Sequence, residues 1–267
     1  MLDRLRVQPG QAAGLFERDT RDDLGLGDKA SAKKTRKELL DELFELQRLL
    51  WAEDERAVLL VLQGMDTSGK DGTIRRVFTG LNPQGVHVAS FKKPSEQELD
   101  HDYLWRVHAA CPPRGSIGIF NRSHYEDVGV VLVNGWIDAA EVERRYEQIR
   151  QFEQHLADNG TVVRKVFLHI SRQEQRERLQ ARIDTPEKHW KFNLGDLEAR
   201  EQWDEYEQAY EAAITVTSTD DAPWFVVPAD RKWVRDVAVT RLLADTLRDM
   251  DLQPPPPDPA LRDVVVE

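Results

Sequence analysis

Alternating strand and helix patterns predict an α/β fold, a parallel sheet with helices on both faces. Three observations carry this reading. Ala57-Val-Leu-Leu-Val-Leu-Gln63 is a seven-residue, mostly apolar run of the kind buried on both sides inside a parallel sheet. It passes directly into Gly64-Met-Asp-Thr-Ser-Gly69-Lys70-Asp-Gly72, which has the Gly-x4-Gly-Lys spacing of a phosphate loop, and Thr73-Ile-Arg-Arg-Val-Phe78 then continues as the helix such a loop requires. Further strand patterns alternate with helical ones through the rest of the chain, and sheets of this kind bind ligands at the carboxyl ends of their strands.

Taken in order, residues 1–30 are irregular and charged, with glycines at 10, 14, 25 and 27, and read as an extended arm. Thr35-Arg-Lys-Glu38 has the form of a capping box, after which Leu39, Leu43, Leu46 and Leu50 share one helical face. Beyond the loop helix, Val86 to Phe91 reads as a strand, Ser95-Glu-Gln-Glu98 opens a helix running to about Cys111, and Ser116 to Phe120 is the next strand. Glu141 to Leu156 is helical with Asn159-Gly160 as its stop, Thr161 to Ile170 is a strand, and Arg172 to Ile183 is a helix. Polar residues Asp184 to Gly195 lead into a helix from Asp196 to Ala213, a strand from Trp224 to Val227 and a last helix from about Arg231 to Met250. Pro254 to Pro257 cannot be helical and reads as an extended end. The organisation is therefore an arm (1–30), one domain (31–250) with a lid near 182–200, and a Pro-rich tail (251–267).

At 267 residues and 40% hydrophobic content the chain can bury one sizeable core. It has no apolar run long enough to span a bilayer and no signal-peptide order at its start, so no membrane association is expected and the cytoplasm is the expected compartment. The single cysteine, Cys111, excludes an internal disulfide and lacks an activating partner. A net charge of −11 makes nucleic acid an unexpected partner, so any polyanion must be drawn by local clusters such as Lys70, Arg75 and Arg76, Lys92 and Lys93, Arg122, and the run from Arg176 to Lys191.

In the loop, Gly64, Met65, Thr67, Ser68, Gly69, Gly72 and Thr73 build the phosphate cradle and Lys70 supplies its mobile cation. Asp71 stands where the usual motif has Ser or Thr, and Asp66 is an extra carboxylate that would repel phosphates unless a metal lay between. It reads as a magnesium ligand, with manganese as a substitute, or else as an acceptor for loop amides. Asn121-Arg-Ser-His-Tyr-Glu-Asp127 follows a strand at the same end of the sheet. There Asp127 or Glu126 could complete a metal site with Asp66, and Arg122 could hold a phosphoryl group; the plainer reading is a polar helix cap. Arg182, Lys188, His189, Trp190 and Lys191 gather in the Asp184–Gly195 region as in a cationic lid, or as in a solvated linker.

Together, Gly64 to Gly72, Asn121 to Val128, Lys188-His-Trp-Lys191 and Ala222-Pro-Trp224 resemble the family-2 polyphosphate kinases over roughly residues 35–250. That resemblance implies a P-loop kinase fold like thymidylate kinase with a helical lid, and magnesium-dependent phosphoryl transfer between inorganic polyphosphate and the adenine nucleotides AMP, ADP and ATP, with guanine nucleotides as further acceptors. It implies Asp66 as the loop aspartate on magnesium, Lys70 as the phosphate lysine, Arg122 as the phosphoryl-stabilising arginine, Asp127 as the second metal carboxylate, and Arg182, Lys188 and Lys191 as lid cations. Glu126 in His-Tyr-Glu-Asp is similar to class III members, which accept both AMP and ADP. A row formed by Lys70, Arg75, Arg76, Lys92 and Lys93 would suit a polymer charged at nearly every unit. The helix at 35–51 and the resemblance suggest a homo-oligomer, dimer or tetramer. Two alternatives stand beside this reading: an ATP-dependent nucleoside monophosphate kinase, and a nucleotide-binding switch protein.

Overall fold

The computed structural model describes residues 1–262 and residue 264. Five parallel strands form one sheet in the order β2-β3-β1-β4-β5, with β1 at Ala57–Gln63, β2 at Val86–Ser90, β3 at Ile117–Asn121, β4 at Thr161–His169 and β5 at Trp224–Pro228. Register runs Val58 to Ile117 on one side of β1 and Val58 to Val162 on the other. All seven residues of β1 are buried, and since successive side chains point to opposite faces, both faces of the sheet must be covered. Two groups of helices provide contacts for that cover. In the first, α2 (Lys29–Glu53) and α3 (Lys70–Val77) pack on α11 (Lys232–Asp249); in the second, α6 (Val130–Val133) and α7 (Ala139–Asp158) pack on α10 (Trp203–Thr217), with α7 also against β4.

Several boundaries differ from the sequence reading. The first long helix starts six residues before Thr35, because the Asp28 side chain accepts from the Ser31 amide and caps it there, leaving Thr35 in its interior. The helix expected from Ser95 to Cys111 is two short ones, α4 (Glu96–Leu99) and α5 (Trp105–Ala109), with the capping box at Ser95 and Glu98 present as read. Asp102, whose carboxylate accepts from the Leu104 amide, turns the chain between them. The helix from Asp196 is also split, into α9 (Gly195–Glu201) and α10, at Gln202.

Residues 1–28 have little regular structure beyond α1 (Leu2–Leu5) and a 3-10 turn at Leu15–Glu17, yet they are packed down as a strap. Leu5, Val7, Ala13, Leu15 and Leu24 are buried, Arg6 bridges antiparallel to Phe225 on the β5 edge, and the Glu211 carboxylate accepts from the amides of Gly14 and Leu15. The strap thus covers an otherwise open strand edge. At the other end, Leu252 is buried and residues 253–258 are exposed without regular structure; the expected tail extends to residues 263 and 265–267, which lie outside the described residues. No helix among the described residues is long and apolar enough to cross a membrane.

Candidate active site

A cleft of about 660 Å³ opens at the carboxyl end of the sheet. The turns after β1, β2 and β3 line it, together with side chains of the helices that follow β4 and β5. The first supplies the phosphate loop, in which Gly64 at φ 148° passes so close to β4 that a Cβ would lie 2.7 Å from the Leu168 carbonyl oxygen, so only glycine fits. Thr67 and Arg122 adopt left-handed backbone at φ 66° and 62°, a strain that clusters at functional loops.

The loop is held from behind by side chains of neighbouring helices. From α8 (Arg172–Ile183), Gln175 donates to the Asp66 carbonyl at 3.3 Å, and Arg178 donates to the carbonyls of Thr67 and Ser68 at 2.9 and 3.0 Å. From α11, Arg235 donates to the Ser68 carbonyl and lies where a Cβ on Gly69 would sit. Lys70 Nζ donates to the Gly64 carbonyl at 2.7 Å, and burial with Arg122 nearby pulls its pKa down despite the surrounding carboxylates. The buried hydroxyls of Thr67 and Ser68 have no hydrogen-bond partner.

The Asp66 carboxylate accepts from Arg122 at 2.7 Å, and Glu126 stands 3.7 Å from the other arm of the same guanidinium. Burial works against the charge on Arg122, but Glu126 and Asp66 outweigh it and raise its pKa. Burial pushes the Glu126 carboxyl up, with Arg122 and Lys70 only partly opposing it. Asn121 donates to Asp71 at 2.7 Å, tying the end of β3 to the start of α3.

Asp127, expected beside Asp66, is not among the cleft-lining residues. It is turned toward α5, 3.4 Å from Arg106, while its carbonyl accepts from Arg145. A 3-10 turn over His124–Asp127 sends adjacent carboxylates in different directions, so Glu126, which does not line the cleft either, is the one that faces Arg122 and Lys70. Of the expected cations, Lys70, Arg75, Arg76, Lys92, Arg122, Arg182, Lys188 and Lys191 line the cleft, while Lys93 does not. Arg76 is partly spent on Asp236 at 3.3 Å, and Arg182 on Asp196 at 3.3 Å. Thr67, Gly69, Asp71 and Gly72 line the cleft; Gly64, Met65, Ser68 and Thr73 sit beneath its surface as framework, Thr73 donating to the Gly69 carbonyl.

Asp196, Lys232 and Arg235, all lining, are absent from the expected set, and Arg178, also lining, was expected only as part of the run from Arg176 to Lys191. Arg178 lies one helical turn before Arg182 and was findable by that spacing. Lys232 and Arg235 open the helix after β5, so the carboxyl-end rule points to them once β5 is known to belong to the sheet. In total eleven basic residues and three carboxylates line the cleft of a chain whose net charge is −11. That is a polyanion site, focused against the field of the rest of the molecule.

Among the described residues no cluster of three or more metal-ligating side chains occurs. A resident, all-protein metal cage therefore does not fit. A phosphate-borne magnesium does, since that ion takes one or two carboxylates and fills its remaining positions with phosphate oxygens and water, and Asp66 offers one carboxylate in the cleft.

A parallel sheet, a phosphate loop after its central strand and a cleft lined with basic residues together define a P-loop phosphotransferase of the kinase type. The family model for polyphosphate kinase 2 matches residues 27–255, and the chain belongs to the polyphosphate kinase 2 family. It is 51% identical to an AMP/ADP-polyphosphate phosphotransferase of Meiothermus ruber, with 99% of each chain aligned, and 44% identical to an ADP-polyphosphate phosphotransferase of Rhodopseudomonas palustris over 97% of this chain and 94% of that one. Its structure is similar to the crystal structure of polyphosphate kinase 2 from Arthrobacter aurescens, with a TM-score of 0.92, 45% identity, and coverage of 96% of this chain and 92% of that one.

Proposed function

We propose that the protein is a cytoplasmic, magnesium-dependent enzyme that phosphorylates AMP to ADP and ADP to ATP with inorganic polyphosphate as donor, reversibly. The single observation that carries this reading is the cleft itself, with eleven basic residues around a phosphate loop, more than one nucleotide's phosphates would need. In the forward step an oxygen of the acceptor phosphate attacks the terminal phosphorus of polyphosphate. The bridging P–O bond breaks, and the electron pair leaves on a chain shorter by one unit.

The loop amides and the start of α3 orient the transferring group, and Lys70, once turned off its own loop carbonyls, follows its charge. Arg122 presents a planar fork to the equatorial oxygens, with Asp66 and Glu126 setting its orientation before substrate arrives. Bound magnesium would supply charge neutralisation at the phosphates, held on the protein side by Asp66. An acceptor phosphate with a second pKa near 6 is already mostly ionised at neutral pH, so Asp66 need not act as a base. The lid residues Lys188 and Lys191 complete the neutralisation and limit water.

Support for acceptance of both AMP and ADP comes from Glu126 and from the similarity to the Meiothermus enzyme, whose name carries both nucleotides. We propose that copies of the chain also associate as a dimer or tetramer through α2, where Phe44 and Trp51 are exposed. The test of function is a product assay with AMP or ADP, magnesium and long-chain polyphosphate, run beside ATP as donor to AMP. ADP and ATP formed from AMP and polyphosphate are the expected result; transfer from ATP alone would move the protein to the nucleoside monophosphate kinases.

A further inference from the structure

Directly beneath the turn that carries Arg122 and Glu126, the core contains a buried polar network that does not line the cleft. Lys165 on β4 is completely buried. Its ammonium donates to Glu153 Oε2 of α7 at 2.6 Å, to the Thr217 carbonyl of α10 at 2.7 Å and to Tyr125 Oη at 2.9 Å, which uses all three hydrogens. Tyr125 Oη in turn donates to Glu153 Oε1 at 2.9 Å, and His124 Nε2 lies 3.2 Å from the same oxygen. Trp224 Nε1 on β5 donates to Thr217 Oγ1 at 2.9 Å. Burial alone would push the Glu153 carboxyl up, but Lys165 and His124 outweigh it and hold it ionised below the usual range.

A buried ion pair is poor evidence for stability, because two apolar residues of similar volume often serve as well or better. What this pair provides is geometry. Four elements distant in sequence converge on the side chains of two adjacent residues, His124 and Tyr125, flanked by the functional Arg122 and Glu126. Arg122 itself sits at φ 62°, a conformation that surrounding structure must impose. Ser123, between them, accepts from the Tyr125 amide and from Gln63 at the end of β1.

We propose that Lys165 and Glu153, acting through Tyr125 and His124, are positioning residues for phosphoryl transfer: they lock the 121–127 turn so that Arg122 is aimed before substrate binds. The inference rests on the polyphosphate-kinase reading for its kinetic assay. Because the transition state asks more of Arg122 than the bound ground state does, loosening the turn should lower kcat and leave KM nearly unchanged.

Tyr125→Phe removes only the hydroxyl, the one group of the turn that meets both Lys165 and Glu153, leaves the His124–Glu153 contact in place and keeps the ring packed on Trp224. It is expected to fold, to exchange the amide hydrogens of residues 121–127 faster than the wild type, and to lose about tenfold in kcat with both KM values within twofold. The double variant Lys165→Met with Glu153→Leu keeps the core filled without leaving a lone charge, and should show the same kcat loss whatever its melting temperature. If the folded double variant, which removes both links, keeps wild-type exchange in the turn or turns over within twofold of wild type, the proposal is overturned and the network is only structural. A wild-type protein inactive with polyphosphate would instead sink the functional reading, while the exchange comparison would still decide whether the network holds the turn.

Discussion

Arg122 pairs with Asp66 at 2.7 Å with Glu126 close by, and the proposed chemistry leans on these side chains from two turns. Arg122→Ala should lower kcat on the order of 1000-fold with the fold retained, the scale of a lost arginine that stabilises transferring phosphoryl charge. Asp66→Asn should lower it at least about 100-fold at saturating magnesium; near-normal turnover in that variant would remove Asp66 from the metal. Glu126 makes a separate prediction about stability. Its carboxyl is raised by burial, so the folded state holds this proton more tightly than the unfolded chain does. The stability this gives is present below the ordinary carboxylate pKa near 4.5 and is lost as pH rises through the raised value. Glu126→Gln lacks that loss, so its melting temperature relative to wild type should increase from pH 4.5 to pH 8; a pH-independent difference would contradict the assignment.

At the scale of elements, the segment proposed as a lid is the part whose contribution is most separable. Lys188 and Lys191 line the cleft from a 3-10 turn, and Lys191 rests over the exposed Trp190 ring at 4.8 Å. Replacing both lysines by Ala should raise KM for polyphosphate about fivefold with little change in kcat, the size expected of two exposed charges. That Lys188 and Lys191 reach the cleft was legible in the sequence, because Asp184 to Gly195 breaks the apolar periodicity and packs cations together. Strand β1 and its loop were legible for a similar reason, an uninterrupted apolar run meeting glycines. What the sequence hid depends on tertiary contact. Thr35 and Glu38 have the right spacing for a cap, yet the helix continues through them from Asp28, and spacing alone does not choose between two caps. Asp127 and Glu126 are neighbours in sequence, and only the 3-10 turn decides which one faces Arg122. Lys165 sits in a strand pattern and shows no sign of burial until Glu153 and Tyr125 are brought to it.

For the whole molecule, the cleft works against the net charge of the chain. Eleven basic residues gathered in one cleft of a protein with net charge −11 attract a polyanion locally and repel it elsewhere, which confines binding to the site. Long-chain polyphosphate should therefore raise the melting temperature, by about 2.7 kcal/mol of added stability at a hundredfold excess over its Kd. At a fixed polyphosphate concentration the gain should shrink steeply between low and physiological salt, because screening of the cleft charges raises Kd. A salt-independent shift would mean that binding is not governed by the cleft charges.

The most direct measurement follows the phosphorus itself, using polyphosphate labelled in its phosphate units together with unlabelled AMP, with wild type and Arg122→Ala side by side. The account predicts label appearing first in ADP and then in ATP, matched unit for unit by shortening of the polymer, and nearly absent with the variant. Label that stays in the polymer or leaves only as free phosphate, or equal transfer by the variant, would contradict it.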